Sequence, residues 1–163
     1  MGVTSLSQEY TCPISPSRMF KALIVDSKNL IPKLLPEFIK SVHTVQGDGE
    51  PGSIEQVNFT EGSSYKYAKH RIDEINEENL VCKYTMIEGD ALGDTVESIA
   101  YEVRFEAASS SEGGGCICKM TSDYRMIGDS EIKEEEIKAS KERVMGIYKL
   151  VENHLLNNPQ VYA

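Results

Sequence analysis

The stretch IKEEEIKASKERVMGIYKLVENHLLN, residues 132–157, decides the fold. It has no proline and one glycine, and it is rich in Glu, Lys and Leu, which lose little on entering a helix. Ile137, Val144, Tyr148, Val151 and Leu155 recur at steps of seven, four, three and four, which lays them on one stripe. A helix of this span is about 39 Å long. Gly128-Asp129-Ser130 reads as its capping segment, with glutamates in the first turns. Asn157, Asn158 and Pro159 stop it.

Upstream of that helix the period changes to two. Ile99, Tyr101, Val103 and Phe105 alternate with Glu102 and Arg104, and Leu80, Cys82, Tyr84 and Met86 oppose Lys83 and Thr85. Cys116, Cys118, Met120 and Tyr124 oppose Lys119 and Asp123, and Val57 and Phe59 share a face with Glu55. Ser5–Cys12 and the residues from Ile39 to Gln46 read as further strands. Tyr65 and Tyr67 share one face, while His70 and Ile72 share one in the opposite register. A one-residue slip flips faces, so this predicts a β-bulge near Ala68-Lys69. Turns fall at Gly47 to Gly52, Glu61-Gly62-Ser63-Ser64, Glu88 to Gly93 and the Ser/Gly run from Ser109 to Gly115. The spacing predicts roughly seven strands in an antiparallel meander with one face toward water.

Two short helices follow the first strand. Ser15 is a good N-cap before Pro16, and Met19, Phe20, Leu23 and Ile24 follow at helical spacing. A second helix fits Leu30 to Leu35, before Pro36. The plan is therefore α+β: a seven-stranded curved antiparallel sheet wrapped around a long C-terminal helix, with two short helices after the first strand.

Composition narrows the function. The 163 residues suit one domain, 1–163. A formal net charge of −9, from 26 acidic against 17 basic residues, repels phosphate backbones, so no nucleic-acid partner is expected. No apolar run approaches the roughly 20 residues that span a bilayer. Met1 to Tyr10 has no signal-type apolar region, and Leu6 stands where a myristoylation motif wants Ser or Thr. The expectation is a cytoplasmic protein with no membrane partner. Cys12, Cys82, Cys116 and Cys118 lack zinc-type spacing and read as core fillers, so neither a metal nor a cofactor is expected.

A sheet wrapped around one helix leaves a hollow unless large side chains fill it. Here the inferred inner face mixes tyrosines with Cys82, Ser122 and Ser140, the kind of lining that ligand cavities use. The runs Gly47-Asp48-Gly49-Glu50-Pro51-Gly52-Ser53-Ile54, Ile87-Glu88-Gly89-Asp90 and Lys138-Ala139-Ser140-Lys141-Glu142 closely resemble the plant pathogenesis-related class-10 proteins, the family of the major birch-pollen allergen. The likeness runs from Gly2 to Ala163. It implies the helix-grip, START-like version of the fold argued above. It also implies a large internal cavity for flavonoids, cytokinins, sterol-like molecules or fatty acids; some relatives are hormone receptors and some alkaloid-forming enzymes.

The expected lining comes from every element. The first helix gives Leu23, and the early strands give Ile39, Val57 and Phe59. Tyr65, Tyr67 and His70 follow, then Cys82, Tyr84 and Met86. Leu92 comes from a Gly-flanked lid, with Ile99, Tyr101, Val103, Cys118 and Met120 from the last strands. The long helix supplies Glu136, Ser140, Arg143, Val144 and Ile147. Tyr67, His70, Tyr84, Tyr101 and Arg143 are expected to orient the ligand. Arg143 has two readings: a cationic fork facing a carboxylate or phenolate, or a partner of Glu136 on the same side.

Several activities lose ground. Gly47-x-Gly49-x-x-Gly52 matches a dinucleotide pattern but leads into a strand, so no helix N-terminus faces a phosphate. The glycines read instead as a rigid turn at positive φ. The ribonuclease activity proposed for the family needs a lysine where Glu55 and Gln56 stand and a tyrosine where His154 stands, leaving Glu97 and Glu152 without a cation. Lys119, the nearest match to the lysine of the alkaloid-forming relatives, has the parity of a water-facing residue. His70 is the one candidate base, with a core histidine as the plainer reading. The abscisic-acid receptors share the fold, but their gate and latch motifs are not seen. The reading is a monomeric carrier or storage protein without catalytic residues; a cavity enzyme acting on a phenolic or alkaloid and a receptor-like signalling protein are the alternatives.

Overall fold

The alternation read above becomes a ladder of hydrogen bonds. The structure, a computed structural model, describes residues 2–63, 65–108 and 115–163. Among these, seven strands form one antiparallel sheet: β1 (Val3–Cys12), β2 (Ile39–Gln46), β3 (Ile54–Phe59), β4 (Tyr67–Asn76), β5 (Val81–Gly89), β6 (Val96–Ala107) and β7 (Cys116–Met126). The order across the sheet is β1-β7-β6-β5-β4-β3-β2. β2 to β7 thus form a continuous meander, and β1 closes on β7. The predicted turn at Ser109–Gly115 lies outside the described residues from 109 to 114, as does Ser64 of the turn before β4.

Helices cross between the two sheet edges. α1 (Pro16–Phe20) runs into one π-helical turn (Lys21–Val25) and then α2 (Ser27–Leu34). Ser15 caps α1: its hydroxyl accepts the Arg18 N–H at 3.4 Å, with Pro16 in the first turn. α2 starts three residues before the expected Leu30, because the Asp26 carbonyl accepts from the Asn29 and Leu30 N–H groups and opens the helix there. α3 (Glu134–Asn157) starts two residues later than expected, after Lys133, without the predicted side-chain cap. Glu134, Glu135 and Glu136 fill its first turn and complement the positive end of its dipole.

Two features fix where α3 lies. Its C-terminal half buries Tyr148, Val151 and Leu155. Arg18 of α1 then clasps its end, its guanidinium donating to the carbonyls of Leu155 at 3.1 Å, Asn158 at 3.0 Å and Val161 at 3.0 Å. These include groups that a helix terminus leaves without an internal partner. The core at this end packs Phe20 edge-on against Phe105, ring centroids 5.6 Å apart. Cys12, Cys116 and Cys118 join it, with Cys116 and Cys118 Sγ 3.8 Å apart; all four cysteines are buried and free. Leu92, Val96, Ile99, Tyr124 and Met126 form a second core nearer the lid. Tyr101 packs against both.

The bulge is real, but it sits on the opposite strand. Lys69 pairs with Glu88 and His70 with Met86, so the extra residue is Ile87 of β5 rather than a residue of β4. β4 therefore alternates without a break through this region: Ala68, His70 and Ile72 point in, while Tyr67 and Lys69 point out. The glycine loop behaves as the sequence requires. Gly47, Gly49 and Gly52 have φ of +87°, +97° and +98°, and the chain passes straight into β3. A Cβ on Gly47 would sit 2.4 Å from Ser53 Oγ and 2.9 Å from Ser53 Cα. Gly47→Ala should therefore cost about 2 kcal/mol or more of stability from strain plus clash. Urea unfolding measures it, and a variant within about 0.5 kcal/mol of the parent, the ordinary range for a surface change, would contradict the account.

Candidate functional site

The register of β4, β5 and β6 gathers three rings on the concave face. His70 pairs with Met86, and Tyr84 pairs with both Ile72 and Tyr101. Directly paired residues project to the same side. The His70 ring meets Tyr84 edge-on at 5.3 Å and Tyr101 at 6.4 Å, while Tyr84 and Tyr101 stack at 4.9 Å. All three side chains are only partly buried although α3 lies above them. The Tyr84 and Tyr101 hydroxyls have no hydrogen-bond partner among the described residues. Burial pushes both phenols well above their usual pKa, so they stay protonated donors at neutral pH; Arg143 offsets this slightly for Tyr101.

The same burial pushes the His70 imidazole down from 6.5 to about 4. The ring is thus neutral at pH 7, an aromatic wall with one donor and one acceptor. Between pH 6.5 and 4 the unfolded chain takes up a proton at His70 that the folded chain refuses. Stability is expected to fall over that window as the pH drops, by up to about 3 kcal/mol from this residue. His70→Phe should flatten that part of the pH–stability curve. An NMR titration of His70 with its midpoint near 6.5 would refute the assignment.

The rim is built from loops. Phe59 and Tyr65 rings lie 6.2 Å apart, and the Arg143 guanidinium carbon lies 5.4 Å above the Tyr65 ring centroid, a cation–π contact. Arg143 makes no ion pair with Glu136 among the described residues, and both side chains are exposed. Glu136 therefore does not join the lining: it stands exposed in the first turn of α3. The Gly-flanked loop, with a 3₁₀ turn at Asp90–Leu92 between Gly89 and Gly93, is tied to the start of β4. The Asp90 carboxylate accepts the N–H of Lys66 at 2.8 Å and of Tyr67 at 3.4 Å.

The remaining expected residues lie at different depths. Cys82, Val103, Cys118 and Met120 are buried in the first core. Ile39, Leu92 and Ile99 are also buried, the last two in the second core against Met86. Leu23, Val57, Val144 and Ile147 remain half-buried, and Ser140 reaches the Tyr124 hydroxyl at 3.4 Å. Tyr67 is a correction. Its outward register takes its hydroxyl to Glu88, at 2.7 Å, where Lys69 also bonds. Glu55, opposite His70, brings a carboxylate to the inner face and accepts from the Thr44 hydroxyl at 2.8 Å. Tyr124 also lines the inner face, as its alternation with Cys118 and Met120 allowed. Lys119 points outward and pairs with Glu106 at 3.2 Å. A separate surface hollow of about 330 Å³ lies by Phe20, Val25, Leu80 and Tyr162, away from these residues.

Comparison with known proteins gives one answer. Residues 1–158 match the model described as "Pathogenesis-related protein Bet v 1 family". The chain is 50% identical over 163 residues to the pathogenesis-related protein STH-2 of Solanum tuberosum, covering all of both chains. It is 49% identical over 162 residues to the major strawberry allergen Fra a 1.08 of Fragaria ananassa, covering 99% of each. The solved structure of Ara h 8.0201 superposes with a TM-score of 0.85 at 32% identity, over 96% of this chain and 100% of that one.

Proposed function

The chain belongs to the Bet v 1 family of pathogenesis-related proteins, and on that premise we propose that it holds a hydrophobic or amphipathic plant metabolite between its concave sheet and α3. The guest class is a flavonoid, cytokinin, sterol-like molecule or other phenolic, and the role is carriage or storage in defence by a cytoplasmic monomer. Among the described residues no helix is long and apolar enough to cross a membrane.

One observation carries the reading. The His70–Tyr84–Tyr101 cluster stands on the concave face, its tyrosine hydroxyls without a hydrogen-bond partner among the described residues, and Val144 and Ile147 of α3 stay half-buried. A filled core would bury all of these. A guest entering there removes apolar surface from water at about 25 cal/mol per Å². The tyrosine faces give it shape and their hydroxyls a polar handle. Arg143 over Tyr65 favours guests with a phenolate or carboxylate at the rim. Turnover has less support: Lys119 is outward and ion-paired, and neutral His70 makes no hydrogen bond or ion pair to a carboxylate among the described residues, the Glu55 carboxylate opposite it being engaged by Thr44.

Fluorescence titration with a flavonoid and with an apolar fluorophore should give saturable binding, each displacing the other. Native mass spectrometry of protein from its source would identify the guest. No saturable binding up to about 1 mM, an affinity of about 4 kcal/mol, would end the proposal.

A further inference from the structure

Gln8 stands on the inner face of β1, opposite Met120 of β7. Its Nε2 is sealed from solvent and has no hydrogen-bond partner among the described residues. Beside it lies a void of about 10 Å³ between the β1–β7 edge and α3. Ser122, Tyr124 and Ser140 line the same void, with the Tyr124 and Ser140 hydroxyls 3.4 Å apart. Met120 and Val144 are its apolar walls, and exposed Lys141 forms its outer lip.

The space suits one oxygen-sized group. Four polar side chains converge on it, and one of them carries an amide nitrogen with nothing to bond. A buried donor left unpaired is unfavourable, and such groups find a partner in folded proteins. A hydroxyl both donates and accepts, so it satisfies either orientation of the Gln8 amide and can also bond the Ser140 or Tyr124 oxygen.

Resting on the guest-binding reading above, we propose that the Gln8–Tyr124–Ser140 recess receives a hydroxyl of the guest, in place of one water in the empty protein. It selects hydroxylated apolar molecules over analogues that carry a methyl there. The Gln8 amide donates to the guest oxygen, and the guest O–H donates onward to Ser140 or Tyr124. A methyl in that position leaves the amide unpaired, which is how polar recesses reject analogues lacking the hydroxyl.

Calorimetric titration with 2-naphthol and 2-methylnaphthalene, close in shape, tests this on the full chain and on Gln8→Leu. Gln8→Leu should shift the ratio of the two affinities about tenfold toward methylnaphthalene, the size of one good hydrogen bond. Ser140→Ala should move the ratio the same way by a smaller amount; it lies on a half-buried helix position and carries the test if Gln8→Leu fails to fold. A ratio unchanged within about twofold in the folded variants, with methylnaphthalene bound, overturns the recess and leaves the hollow standing: the site then keeps only its water. Binding of neither probe to the parent chain overturns both.

Discussion

Replacing Phe20 with alanine is expected to lower the stability of the folded chain by about 3–5 kcal/mol. Phe20 is 1% exposed and stacks edge-on against Phe105, where α1 meets the sheet and the end of α3. The neighbours cannot collapse into the space. Val151 and Leu155 are held by a helix whose end Arg18 has pinned, and Cys116 and Cys118 belong to a strand paired on both sides. The loss therefore combines transfer of a whole ring with a cavity that stays open. For a chain of this size the melting temperature should drop by about 6–20 °C. Chemical denaturation gives the free energy directly, and a loss below about 1.5 kcal/mol would mean that this end of the molecule is loosely packed.

Ile147→Trp is expected to do the opposite kind of harm. Ile147 is half-buried on α3 and packs against the same core as Tyr84 and Tyr101. In a filled core, added bulk forces side chains off their rotamers and costs about 1–3 kcal/mol. Over a hollow the indole has room, so the melting temperature should stay within about 3 °C of the parent or rise. The guest loses that room, and its affinity should fall by tenfold or more. The pair of readings separates the two pictures: lost stability with unchanged binding of a flavonoid would mean that the interior is solid and the binding lies elsewhere.

The sequence made the periodic features readable and hid those that depend on strand partners. The stripe on α3 and the alternation in β6 needed no partner to interpret. The bulge shows the limit. Tyr65 and His70 conflict in parity, and that conflict suggested an extra residue in β4. Tyr65 lies before β4 begins, where no pleat constrains it, and the extra residue, Ile87, is in the neighbouring strand. Tyr67 went to the wrong face for the same reason. Arg143 had two readings because the position of Tyr65 is set by a loop. Gln8 was not singled out: it shares the parity of Leu6 and Tyr10, but its meeting with Ser122 and Ser140 depends on pairing β1 with β7, more than a hundred residues away in sequence.

That pairing also governs how the chain is made. Val3 bonds across to Arg125. As the polypeptide leaves the ribosome, β2 to β7 can zip in order, each strand onto the one just synthesised. β1 is made before all of them yet is the last to find its place, waiting unpaired until β7 is out. Such long-range closure is slow by its topology, and until it happens β7 offers a bare edge to any other extended segment nearby. Efficient production of this protein should therefore depend more on the fate of β1 during synthesis than on the strength of any single core contact.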